Sequence, residues 1–217
     1  RRQRQMCIRD SKKRVQFSSI LSKYLPDVFV SYITDLLFHC KVRFKIVAPR
    51  NTKLGDFRPR NLNGKPQITV NGDLNPYAFL ITTLHEFAHW DTFQQYGLNV
   101  SPHGIEWKVN FKRLISLIID HPELPLSIRK ALQKNIHSIK ASSCTDIHLS
   151  RVLSLFDSAN TDLVSLEKLA KNSTFVLNNK TFIKGEKRRT RVECIEIISK
   201  RRFLVHIMAK VKHIHNE

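Results

Sequence analysis

Hydrophobic positions recur at three- and four-residue steps over the first two thirds of the chain and at two-residue steps over its last part. From residue 15 to 42 the pattern is helical. Phe29, Ile33, Leu36, Leu37 and Cys40 share one face, and Pro26 is placed to open the main helix. Residues 41–48 then alternate, Val42, Phe44 and Ile46 against Lys41, Arg43 and Lys45, which predicts a half-exposed strand. A basic loop is expected over residues 49–64, with Gly55 marking a bulge or a close backbone approach. A short strand over 67–70 ends in the Asn71-Gly72 turn. Asn75-Pro76 reads as the N-cap and first residue of a long helix, and Gly97 as its stop. The apolar stripe of that helix is Tyr77, Leu80, Ile81, Leu84, Phe87 and Ala88.

Ser101-Pro102 signals the next helix, whose stripe is Trp107, Phe111, Leu114, Ile115 and Ile118 and which ends at His121-Pro122. A further helix over 125–139 carries Ile128, Leu132, Ile136 and Ile139. Residues 141–172 are polar, with one short helical stretch over 149–156, and read as a connector. From Thr174 the period is two. Residues 175–177 and 181–183 flank the turn pair Asn178-Asn179, and Phe203, Val205, Ile207, Ala209 and Val211 read as one unbroken strand. A meander this short has little core of its own and is expected to pack on the helices. The fold class is therefore α+β: a domain over 12–140 built of a helix, a small sheet and further helices, then a connector, then a small antiparallel β extension over 173–217.

Composition narrows the class. Charged residues make up 25% of the 217 and hydrophobic ones 41%, which is globular rather than disordered. No apolar run approaches the roughly 18 residues that span a bilayer, so no membrane partner is expected. Cys7, Cys40, Cys144 and Cys194 are scattered without a CxxC pair. That disfavours a disulfide framework or a four-cysteine zinc ribbon and fits a reducing cytoplasm. The net charge is +19, concentrated at the two ends; residues 173–217 hold 11 Lys/Arg against 4 Asp/Glu. Residues 1–11 (RRQRQMCIRDS) resemble a translated sequencing adapter and are expected to stand outside the fold, as a scar or a disordered basic tail. In the C-terminal segment Lys184, Lys187, Arg188, Arg189, Arg191, Lys200, Arg201 and Arg202 form a candidate patch for the phosphates of DNA. The bland rival is a solvated strand edge. Exposed aromatics do not interleave the patch, so base-specific reading is not expected.

The chemistry lies at His85-Glu86-Phe87-Ala88-His89. Positions i and i+4 share a helix face, so both imidazoles can reach one metal ion; Glu86, about 100° round, can reach a water on it. A catalytic zinc takes a third protein ligand and keeps a position for water. The HExxHxxGxxH scheme fails, because Thr92 and Gln95 occupy its Gly and His positions. The next helix offers His103 and Glu106. His103 is preferred, leaning out from a helix start beside Gly104; Glu106 is then a carboxylate that caps the helix or orients a ligand imidazole. His213 and His215 read as surface histidines, His121 as a helix-end residue, Cys194 as core and Trp90 as packing.

HEFAHW followed by PHGIEW resembles the SprT-like family of zinc metallopeptidase domains, the Spartan-related group, over roughly residues 15–140. The LGDFR stretch ahead of the helix resembles it too, and GEKRRTRVEC is similar, more weakly, to C-terminal extensions in Bacteroidetes-type members. The resemblance implies a zincin-like fold, one Zn2+ on His85, His89 and His103, and Glu86 as general base in peptide-bond hydrolysis. It implies protein substrates, including proteins bound or crosslinked to DNA, an extended substrate lying along an edge strand near Gly55–Arg58, and a bacterial cytoplasmic, nucleoid-associated setting. The cysteine zinc finger that several members carry is not matched, since Cys144 and Cys194 lack paired spacing. The rival reading is a catalytically inactive, nucleic-acid-associated binding protein with a structural metal site.

Overall fold

A computed structural model describes residues 2–40, 42–50, 53–60, 64–137, 146–158 and 162–214, with backbone only for 2–11 and 135–137. The described residues form an α+β chain in two compact units, Arg1–Asp157 and Ser158–Glu217. Cys144, Ile139 and His215, and the side chains of Cys7 and Ile136, lie outside the described residues.

In the first unit, helices α1 (Arg2–Leu21) and α2 (Asp27–His39) precede a three-stranded sheet. Residues 2–11, predicted to be a tail, continue α1 as helical backbone. The sheet consists of β1 (Arg43–Val47), β2 (Gly55–Arg58) and β3 (Gln67–Asn71) in the order β1-β3-β2. β1 runs parallel to β3 and β2 antiparallel to it, so β2 is an edge strand. The polarity pattern predicted a loop at 55–58; pairing with β3 overrides the weak local signal there.

Helix α3 (Pro76–Tyr96) follows. The Asn75 side chain accepts from the Ala78 N–H at 2.9 Å, Pro76 takes the first position, and Gly97 stops the helix at φ +66°. The predicted one-sided stripe understates its burial: residues 78–88 are buried all the way round. The reason is its place in the packing, against β2 and β3 and also against α4 (Ile105–Ile119). Phe79, Leu80, Leu84 and Phe87 lie in the core with Ile33, Ile68, Trp107 and Leu114. Each such side chain contributes roughly 1.5–3 kcal/mol on burial.

Helices α5 (Leu126–His137) and α6 (Ile147–Ser154) complete the unit. The supposed connector therefore divides. Leu149 enters the core, Phe156 meets Tyr77 edge-on at 4.8 Å, and the Asn75 amide donates to the Leu153 carbonyl and to Asp157 at 2.9 and 2.7 Å.

The second unit holds β4 (Leu163–Ser165), a 3-10 turn (Leu166–Lys168), β5 (Thr174–Leu177), β6 (Lys180–Lys187), β7 (Arg191–Glu196), β8 (Arg202–His206) and β9 (Lys210–Ile214). Asn178 and Asn179 both take positive φ, as a two-residue hairpin turn requires. The unbroken strand predicted through Ile207 is instead two strands, and the break shapes the sheet. Its order is β4-β9-β5-β6-β7-β8, so residues 207–209 join one edge to a strand beside the other edge. Flat, that gap of four strand spacings is about 19 Å, but the link spans at most about 14 Å. The sheet must curl. The corner bonds to both sides: the Ile207 N–H donates to the Thr190 carbonyl (3.2 Å), and the Ile207 carbonyl accepts from the Glu167 N–H (2.8 Å). Phe175, Val192, Cys194 and Val211 are buried on one face of this sheet, so this unit has a core of its own.

Candidate metal centre

α3 presents two chemistries to two neighbours. His85 and His89 face α4, whereas Glu86 faces the edge strand β2. The eight residues after α3 fold the chain back and bring His103, just ahead of the N-cap Gly104, over the two imidazoles. The Nε2 atoms of His85, His89 and His103 lie 3.2, 3.0 and 3.1 Å from one another. Tetrahedral zinc with bonds of about 2.0–2.1 Å sets its ligand nitrogens about 3.3–3.4 Å apart. The triangle is within a few tenths of an ångström of that. Neutral rings cannot satisfy it alone, because each Nε2 is either a donor or an acceptor and three mutual bonds need both at every corner. Three imidazole nitrogens gathered this closely suit a cation, and this group could hold a metal ion.

The surroundings keep the ligands neutral and in place. Burial, then the neighbouring His89 and His103, push His85 well below its ordinary value; burial and His103 bring His89 down to about 4. Burial and Lys108 lower His103 as well. His103 holds φ +60°, a left-handed conformation that costs a non-glycine residue free energy. Trp107, 1% exposed, floors the cluster. Its ring centroid lies 4.7 Å from those of His85 and His103 and 5.3 Å from that of His89, and it stacks on Phe111 at 4.9 Å. The Trp107 indole nitrogen is buried without a hydrogen-bond partner among the described residues, so the ring rather than the N–H is what this position uses.

Thr92 and Gln95, which rule out the alternative ligand scheme, clamp the two helices instead. The Asn110 side chain donates to Thr92 Oγ1 at 3.1 Å and accepts from the Gln95 amide at 3.2 Å. Glu106 lies in the first turn of α4 beside the helix N-terminus, with a carboxylate oxygen close over Gly104. Among the described residues the group that could hold a metal ion is the three histidines alone.

Glu86 is 5% exposed. Burial and the nearby Asp56 carboxylate push it up to about 8, against Arg50, Lys53 and the Phe57 N–H, which favour the charged form. Arg50 is anchored by donating to Asn71 Oδ1 and Thr69 Oγ1 at 2.8 and 3.0 Å. The Asn71 amide returns bonds to the Arg50 and Lys53 carbonyls at 3.2 and 3.1 Å, which ties down the approach to β2. Sequence reasoning missed Trp107, the Asn110 clamp and the Arg50–Asn71 anchor as site residues; only Gly55 carried a local signal.

The basic patch changes membership. Lys184 is 7% exposed and points inward, its ammonium donating to the Leu169 carbonyl. It leaves the patch because its register position opposite Cys194 faces the core. Lys187, Arg188, Arg189 and Arg191 are exposed around the β6–β7 turn, and Lys200, Arg201 and Arg202 around the β7–β8 turn. Successive turns lie at opposite ends of β7, so they form two clusters rather than one. Glu193 links them, accepting from Arg188 at 3.2 Å and from Arg202 at 3.0 Å. No helix among the described residues is long and apolar enough to cross a membrane. Comparisons of the chain with protein-family models, curated proteins and solved structures find no match.

Proposed function

We propose that the first unit is a zincin-like, SprT-like zinc peptidase domain that hydrolyses peptide bonds of protein substrates. The observation that carries this reading is the convergence of three neutral imidazole nitrogens within 3.0–3.2 Å, two of them on α3, where the residue after His85 is a buried carboxylate. His85, His89 and His103 would hold the metal. Zinc bound there supplies a water of pKa about 7 and polarises a carbonyl oxygen. Glu86 takes the proton from the attacking water and delivers it to the leaving amine nitrogen. β2, with one edge unpaired in the sheet, offers main-chain groups to an extended substrate. A purely structural metal site has no use for a general base, so Glu86 favours hydrolysis over the inactive-binder reading.

The exposed arginines and lysines of the two turns support a second element, contact with the phosphates of DNA, and with it protein substrates held on DNA. The test joins both. Metal content is measured, and cleavage of a DNA-bound protein is compared with and without chelator and in Glu86→Gln. One zinc per chain is expected, with cleavage abolished by chelator and reduced by at least about a hundredfold in the variant. Undiminished cleavage in Glu86→Gln would remove the mechanism, and absence of bound zinc would remove the site. DNA affinity that does not fall with added salt, or is unchanged in Arg189→Glu/Arg201→Glu, would remove the nucleic-acid element.

A further inference from the structure

Gly55 opens the edge strand, and its main chain lies directly on α3. A Cβ built there would stand 2.5 Å from Glu86 Oε1, 2.7 Å from Glu86 Cγ and 2.8 Å from Thr82 Cγ2. All three, one oxygen and two carbons, are closer than a Cβ approaches non-bonded atoms. Glu86 and Thr82 are one helical turn apart and both buried, so the glycine main chain sits in the notch between them. Backbone conformation does not demand glycine here: among the described glycines only Gly64 and Gly97 take positive φ. What the position needs is the missing side chain. The rest of β2 is held independently. Its residues pair with β3 from Gly55↔Val70 to Arg58↔Gln67, and Asp56 accepts from Lys53 and Arg58, each at 2.8 Å. Neither wall yields easily to an added methyl group, since the strand is pinned from one side and the helix is core on the other.

We infer that Gly55 is a positioning residue: by lacking a side chain it lets β2 lie against Glu86 and sets where the carboxylate rests. The role rests on the hydrolytic reading above, and it reaches the chemistry only through Glu86. A methyl group at residue 55 displaces the carboxylate while leaving untouched the three imidazoles, which gather on the face of α3 turned toward α4.

The experiment compares the wild-type chain with Gly55→Ala, Glu86→Ala and the double variant, reading zinc stoichiometry, peptidase kinetics and thermal unfolding. Gly55→Ala is expected to bind one zinc as wild type does. Its kcat should fall about a hundredfold, the cost of displacing a reacting group by about 1 Å, with KM changed less than about threefold. Its Tm should fall, and the fall should be about half as large in the Glu86→Ala background, where two of the three close contacts are gone. Gly55→Ala activity within about threefold of wild type, or the same Tm loss in both backgrounds, would overturn the inference. If wild type binds no zinc and cleaves nothing, the hydrolytic reading fails, and the unfolding cycle still decides whether Gly55 sets Glu86. If Gly55→Ala does not fold, a folded double variant supports the contact and an unfolded one refutes it.

Discussion

Replacing His103 separates backbone strain from metal binding. At φ +60° its Cβ crowds the following carbonyl, a cost of roughly 1–2 kcal/mol. Alanine removes the imidazole and keeps the Cβ; glycine removes both. Glycine also loosens the unfolded chain, which takes back roughly 0.4–1 kcal/mol. With metal chelated, His103→Gly should therefore be more stable than His103→Ala by about 0.5–1 kcal/mol. In a unit of about 150 residues that is about 2 °C in Tm. Zinc at a thousandfold excess over its dissociation constant stabilises the wild type by about 4 kcal/mol, or about 10 °C. Both variants should lose most of that gain. Thermal unfolding of the three proteins, with chelator and then with zinc, reads both effects. Equal apo stabilities of the two variants would refute the strain argument, and a wild-type-sized zinc shift in either would refute His103 as a ligand.

Three other expectations follow from side chains around the two cores. Trp107→Leu should weaken cobalt or zinc affinity about tenfold or more, as loss of a group that orients ligands does, while Trp107→Phe keeps it; metal titrations of both decide whether the aromatic floor matters. Burial holds the Lys184 ammonium below its ordinary value of 10.5, so the unfolded chain binds more protons in the window between the two values and stability rises with pH across it. Lys184→Met should lack that rise, seen as a Tm difference between the two proteins that changes from pH 8 to pH 10. Burial pushes the Cys40 thiol up to about 12 and raises Cys194 as well. Neither should react with an aromatic disulfide reagent at pH 8 until the chain is unfolded, with mass spectrometry assigning the modified residue.

Much of the fold was legible because its signals are local. The Asn75 cap, the Gly97 stop and the Asn178-Asn179 turn each depend on a single residue's dihedral or hydrogen-bonding preference, and each stands where the sequence places it. The four-residue spacing of His85 and His89 works the same way, because helix geometry alone puts them on one face. Strand β2 was less legible: four residues with one Gly and two charges carry little intrinsic β preference until β3 offers a partner. Alternation through Ile207 likewise predicts extended backbone but says nothing of the corner that curls the second sheet. Lys184 was misplaced among the exposed cations for a related reason. Residue type predicts solvent, and only register opposite Cys194 turns it inward.

The sequence by itself thus determined the helix, the pair of histidines one turn apart on it and the carboxylate between them, all set by periodicity within one element. The tertiary structure decided which residue completes the triangle, that Trp107 floors it, and that Glu86 lies beneath Gly55. Those depend on contacts between residues far apart in the chain, governed by how α3 packs between a sheet edge and α4. Helical spacing specifies a face, whereas only packing specifies what that face meets.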